Sequence, residues 1–148
     1  RASMNVMSDG LAMLLLADRD GKSSTALGSS PGGERSLSFM DRGMTRAWVG
    51  LLPNGDPTIR LAGQDGKSRV GLTVASNGGP GLVLLDNDGD YRASLIVPPD
   101  GSPEFSLVDR DSGTSAHLGV WSDEAGLWVL NRNERMASMG ILIRDTPL

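Results

Sequence analysis

Cysteine is absent from this 148-residue chain. Neither a disulfide nor a thiolate metal site can hold the fold together, which leaves packing and ladder hydrogen bonds. Long hydrophobic runs are also missing. The stretch from Leu11 to Ala17 falls well short of the roughly 18 apolar residues of a membrane-crossing helix, so no transmembrane segment is expected. Positive charge is not in excess: 14 Lys and Arg stand against 18 Asp and Glu, a net charge of −4. The basic residues are scattered, which argues against a nucleic-acid partner. Aromatic side chains are few, with three Trp, one Tyr and two Phe, so each can be placed individually.

What the chain does have is an internal period. Turn-type residues recur at Asp9, Gly32, Asn54, Asn77, Asp100, Asp123 and Thr146, a step of 23 with a single 22. A fixed period of this length is the signature of a tandem structural unit. From each anchor, the fifth and seventh residues onward are apolar: Leu14 and Leu16, Leu37 and Phe39, Ile59 and Leu61, Leu82 and Leu84, Phe105 and Leu107, Trp128 and Leu130. Counting back from the next anchor gives Ala47, Val49 and Leu51, Val70, Leu72 and Val74, Ala93, Leu95 and Val97, Ala116, Leu118 and Val120, then Met139, Ile141 and Ile143. Only Thr25 and Ser29 break the pattern. Alternation with polar or small residues is what a strand with one buried face requires, so each unit holds two strands.

Between strands lie Asp20-Gly21, Arg42-Gly43, Asp65-Gly66 and Asp88-Gly89, and between units Asn54-Gly55, Asn77-Gly78 and Asp100-Gly101. These pairs favour positive backbone dihedrals and tight hairpins. A two-residue loop at Asp88-Gly89 sets Leu84 opposite Ala93 and Leu82 opposite Leu95. The same register at Asp65-Gly66 pairs Leu61 with Val70 and Ile59 with Leu72. The one-residue deletion in the second unit falls between Met40 and Arg46, which marks a turn.

The expected fold is therefore all-β, with six hairpin repeats of about 23 residues (about 9–31, 32–53, 54–76, 77–99, 100–122 and 123–146) in an antiparallel meander. Such a sheet has one apolar face to cover, which predicts closure as a flattened barrel or sandwich, or oligomerisation over that face. The alternative is a parallel β-solenoid with one repeat per coil. Residues 9–148 make a single domain. Residues 1–8 are expected to be an N-terminal extension, truncated or tag-derived because the chain opens on Arg1 rather than Met.

A 23-residue period with one hairpin per unit resembles the MORN repeat, a membrane- and partner-associated β-meander, over the whole chain. The resemblance is one of period: that family's Tyr, Trp and paired-Gly pattern is absent, so no residue or role is carried over. Shafts of viral and phage fibres are also built from short two-strand units with Gly and Asp turns, though with a shorter period.

Candidate sites are few. Arg46, Arg69 and Arg92 occupy one outward slot in successive units, either as a solvated row paired with nearby Asp or as a strip for anionic ligands. Trp48, Tyr91 and Trp121 fall outward or at a turn shoulder and are candidate contacts for a subunit or ligand. Phe39, Phe105 and Trp128 fall inward and are expected to pack. Asp86, Asp88 and Asp90 resemble the opening of a calcium loop, but no downstream Glu completes it. His117 shares its slot with Ser94 and Gly71, away from the apolar face. Ser115 and Asp111 are near it in sequence but are expected on the other side, which makes a nucleophile triad unexpected.

No cofactor is implied. Three function classes follow: a structural or adhesive module of an appendage, fibre or envelope scaffold, acting as a homo-oligomer; a lectin-like or small-hydrophobic-ligand domain with a glycan or surface partner; and an enzyme using Asp86 or Asp109 as acid and base. The first is expected, and no enzyme activity with it. The compartment is undecided, with an extracellular or cell-surface setting favoured.

Overall fold

A computed structural model describes residues 1–121, 124–131 and 134–142. It contains thirteen strands and, among the described residues, no helix. They are β1 (Ala2–Val6), β2 (Ala12–Ala17), β3 (Ser23–Ser29), β4 (Arg35–Asp41), β5 (Met44–Leu51), β6 (Pro57–Ala62) and β7 (Ser68–Val74), followed by β8 (Pro80–Leu85), β9 (Tyr91–Ile96), β10 (Glu104–Asp109), β11 (Thr114–Trp121), β12 (Glu124–Asn131) and β13 (Glu134–Leu142). All pair antiparallel in sequence order within one sheet. The meander expectation holds, and the parallel solenoid is excluded because every strand bonds its neighbour in sequence. The anchors Asp123 and Thr146, the inward slot Ile143 and the end of the last repeat lie outside the described residues.

The hairpin signals fold by a common rule. In the turns from Met7 to Leu11, Ser30 to Glu34, Leu52 to Asp56, Gly63 to Lys67, Ala75 to Gly79 and Asp86 to Asp90, the first amide donates to the carbonyl four residues on. The glycine amide donates back to the first carbonyl. This is a three-residue loop closed by a left-handed glycine, and Gly55, Gly78 and Gly89 have φ of 89°, 86° and 92°. In four of these turns the residue before glycine is an Asp or Asn whose side chain accepts the amide beyond the turn, as Asn77 Oδ1 does from Gly79 at 3.1 Å and Asp65 Oδ1 from Lys67 at 3.1 Å. Gly32 takes that place before Gly33, and Asp86 Oδ1 accepts the Asp90 amide in the turn of Asp88-Gly89. The two-residue loop expected at Asp65-Gly66 and Asp88-Gly89 therefore does not form. It forms at Arg42-Gly43, where Asp41 pairs with Met44 and φ is 52° and 78°. That shorter loop lies within the segment that carries the one-residue deletion.

The strand registers survive this difference because a β-bulge restores the count. Leu61 pairs with Val70 and Leu84 with Ala93, as the sequence predicts, while Ala62 pairs with Ser68 and Leu85 with Tyr91. One residue per hairpin is left over. It is Arg69 in one case, Arg92 in the next, and Arg46 in the hairpin of β4 and β5, where Phe39 pairs with Ala47 and Met40 with Thr45.

Residues 2–6, expected as an extension, form the first strand, with Met4 opposite Leu14. The sheet is not closed: among the described residues each strand touches only its neighbours in sequence. The expected barrel or sandwich closure is therefore not present within one chain. Thirteen consecutive hairpin partners with no long crossover give no second layer to fold back, and no large side chain among the described residues is fully buried.

Candidate functional site

The dominant surface feature is the apolar face. One row crosses all thirteen strands through direct cross-strand pairs: Met4, Leu14, Leu27, Leu37, Val49, Ile59, Leu72, Leu82, Leu95, Phe105, Leu118, Leu127 and Met139. The row beside it runs Leu16, Thr25, Phe39, Ala47, Leu61, Val70, Leu84, Ala93, Leu107, Ala116, Val129 and Ala137. In this second row the even strands β2 to β10 carry Leu or Phe, and the odd strands β3 to β11 carry Ala, Val or Thr. Leu61, Leu84 and Leu107 are 44%, 42% and 46% exposed, whereas Ala93 between the last two is 8% exposed. At the β1 end a shallow hollow of about 570 Å³ is lined by Met4, Leu14, Leu27, Leu37 and Val49 among others.

Two inward expectations fail. Trp128 pairs with His117 and Leu130 with Ser115, so both lie on the opposite face, while Leu127 and Val129 occupy the apolar rows. The cause is turn length. Trp121 pairs directly with Glu124, whereas Leu51 pairs with Pro57 and Val74 with Pro80 across longer loops. A one-residue change in register turns every side chain of a strand over. Phe39 and Phe105 do lie on the apolar face, yet both are exposed rather than packed.

The opposite face mixes small and polar residues with a few large apolar ones. Its central row includes Ser38, Trp48, Arg60, Gly71, Val83, Ser94, Ser106, His117 and Trp128. Hydroxyl pairs bridge strands here, Thr58 to Thr73 at 2.9 Å and Ser94 to Ser106 at 2.6 Å. They satisfy two of the most buried polar side chains, Thr58 and Ser106. Trp48 and the Arg60 guanidinium, 5.5 Å from the ring centre, make a cation–π contact.

The three bulge arginines are engaged by their own chain. Arg69 Nη2 meets Asp65 Oδ2 at 2.6 Å, and Arg92 Nε meets Asp86 Oδ2 at 2.6 Å. Arg46 donates from Nε to the Ala62 carbonyl at 3.1 Å and lies 3.8 Å from Asp41. Neighbouring hairpins are joined the same way: Arg92 reaches Asp109 at 3.6 Å, Lys67 donates to the Asn87 carbonyl at 3.3 Å, and Arg110 pairs with Asp90. The carboxyls feel these contacts. The Arg69 hydrogen bond, the Lys67 amide and the Arg69 charge hold Asp65 below the usual carboxylate value of 3.8. Partial burial pushes Asp86 up, but hydrogen bonds from Arg92, Asp88 and Gly89 outweigh it and leave Asp86 low. Asp109 is lowered by the Ser112 hydroxyl and the Asp111 amide.

Asp86, Asp88 and Asp90 place one carboxylate oxygen each within 4.8 Å of one another. Asp86 is already committed, its Oδ1 accepting the amides of Asp88, Gly89 and Asp90 and its Oδ2 the Arg92 contact. The acids act here as the frame of a turn.

A relay missed by sequence reasoning lies on the second face. His117 Nδ1 is 2.6 Å from Glu104 Oε1, and His117 Nε2 is 2.9 Å from Ser115 Oγ. Ser115 is two residues from His117 and so shares its face. The expectation that it would point the other way is incorrect, and the period of two was the available signal. A cleft of about 330 Å³ adjoins the relay, lined by Glu104, His117, Trp121, Trp128 and Leu130. Trp121 and Trp128 pack edge to face with ring centres 4.4 Å apart. Each ring covers a glycine two residues away, Gly119 and Gly126, which pair with each other across the strands. Of the expected binding residues, Arg92 and Tyr91 adjoin at a turn, while Trp48 and Trp121 lie on strands far apart in the sheet order.

These features define an open all-β antiparallel meander. No family model matches the chain, and no curated protein matches it. Among solved structures it is similar to the TCP domain of SAS-4 (dCPAP) in complex with a proline-rich motif of Ana2 (dSTIL) of Drosophila melanogaster. The identity is 14%, the TM-score 0.49, and the match covers 95% of this chain and 83% of that one.

Proposed function

We propose that the chain is a non-enzymatic structural module of a fibre, surface appendage or envelope scaffold, which works by laying its apolar face against a second protein layer. The half-exposed state of Leu61, Leu84 and Leu107 on a face that runs the whole sheet carries this proposal. Contiguous apolar surface larger than a few hundred Å² on a soluble chain marks an interaction site. The bulge arginines and the acidic turns stiffen one end of the sheet by joining successive hairpins, which suits a scaffold.

The Ser115–His117–Glu104 line is compatible with a non-enzymatic role. Strand β11 is paired on both sides, so its amides lie in the sheet plane and bond to neighbouring carbonyls. Acyl transfer needs donors aimed at a developing oxyanion, and a doubly paired strand offers none of its own. Small-angle scattering combined with hydroxyl-radical footprinting tests the proposal. It expects an assembly in which Leu61, Leu84 and Leu107 are protected. A strict monomer that oxidises these leucines like a solvent-exposed peptide refutes it.

The cleft beside Trp121 favours a second reading, a glycan-binding domain. Aromatic rings together with Glu104, His117 and Ser115 give apolar and hydrogen-bonding surfaces in one place. Quenching of Trp fluorescence by a glycan, lost in Trp121→Ala, would support it; a silent glycan array removes it.

A further inference from the structure

Resting on the scaffold role proposed above, we infer that the layer covering the apolar face is a second copy of this chain, docked face to face with interdigitated side chains. The second apolar row is corrugated. Leu61, Leu84 and Leu107 stand up on β6, β8 and β10, while Ala47, Val70 and Ala93 on β5, β7 and β9 form the low positions between ridges. Ala93 is a socket floor, 8% exposed between two leucines that are 42% and 46% exposed. Ridges recur every second strand, a spacing of about 9.6 Å at the usual strand separation.

A partner that fills these sockets must carry knobs at the same spacing along a sheet. A second copy has that spacing by construction, and facing layers pack best when large and small residues alternate across the contact. Two copies also share one hand of twist, which is the condition for aligned packing of sheets at about −30°. The size agrees. Thirteen strands make a face about 60 Å long, and its two apolar rows span about 13 Å across it. Each copy can therefore cover about 800 Å², the size of one side of a standard interface. The two apolar rows carry no charged residue, so nothing on them opposes burial.

Socket filling separates this inference from general stickiness. Ala47→Leu with Ala93→Leu adds apolar surface while removing two sockets. Sedimentation velocity on the wild-type chain is expected to give a dimer, and on the double variant a dimer at least tenfold weaker, with the strand circular dichroism retained. Dimerisation equal to or tighter than wild type overturns the interdigitation while leaving the scaffold role standing. A wild-type monomer with oxidisable Leu84 overturns both. Should the double variant fail to fold, the wild-type chain answers alone. A dimer made from one copy labelled at Ala methyls and one at Leu methyls is expected to show intermolecular contacts to the Ala93 methyl, and their absence in a dimer refutes the inference.

Discussion

Truncating Leu84 measures how much of the apolar face is covered. Burying a CH₂ group contributes about 0.8 kcal/mol, so the isopropyl group that Leu84→Ala removes is worth about 2.4 kcal/mol when fully buried. In the single sheet Leu84 is 42% exposed, which scales the loss to about 1.4 kcal/mol. No cavity forms, because the site opens to solvent. Under a second protein layer the same change leaves a void, and the loss rises to about 3 kcal/mol or more. Urea unfolding followed at low and high protein concentration distinguishes the two. We expect a loss near ~1.4 kcal/mol where the chain is monomeric, growing with concentration as the face is covered. Leu61 and Leu107 have nearly the same exposure, 44% and 46%, so their truncations should agree with that of Leu84 to within a few tenths of a kcal/mol. A loss of ~3 kcal/mol in a proven monomer, or three unequal losses, would refute the equivalence of the units and the openness of the face.

Four further outcomes follow from the site geometry. Asp65, Asp86 and Asp109 have lowered pKa values, so their contribution is fully present above the ordinary value and is lost as pH falls through the lower folded values. Chemical unfolding should show stability falling on acidification below about pH 4, and Asp86→Asn should flatten that fall. Gly119→Ala should displace the Trp121 ring that covers Gly119, seen as a change in near-ultraviolet circular dichroism from the 4.4 Å Trp pair; an unchanged spectrum contradicts the placement. A fluorophosphonate probe should leave Ser115 unlabelled, and labelling that Glu104→Gln abolishes would overturn the non-enzymatic proposal. Calcium at about 1 mM, in the range of weak extracellular sites, should leave the melting temperature unchanged, because Asp86 is occupied by Arg92 and three amides.

Strand positions were legible in the sequence because a period of two repeated within a period of 23 leaves little freedom in register. Leu82 opposite Leu95 and Ile59 opposite Leu72 are pairs that follow from counting alone. Turn conformations were less legible. Asp-Gly specifies a glycine with positive φ, but it does not separate a two-residue loop from a three-residue loop followed by a bulge. Trp128 and Leu130 were misplaced for a related reason: the anchor count continued across a connection between Trp121 and Glu124 that is shorter than its counterparts. Closure was not legible at all. An apolar face shows that something must cover it, and the sequence of one chain does not say whether that cover is its own second layer. The relay of Glu104, His117 and Ser115 joins residues of two adjacent strands, so it emerges only once the register between β10 and β11 is known.

Cross-strand proton contacts test the antiparallel register most directly. In a nuclear Overhauser spectrum of the full chain, backbone contacts are expected between Leu61 and Val70, Val70 and Leu84, Leu84 and Ala93, and Ala93 and Leu107. Direct contacts of Leu61 with Leu84 and of Leu84 with Leu107, with the Val70 and Ala93 contacts missing, would mean stacked parallel coils and contradict the open meander.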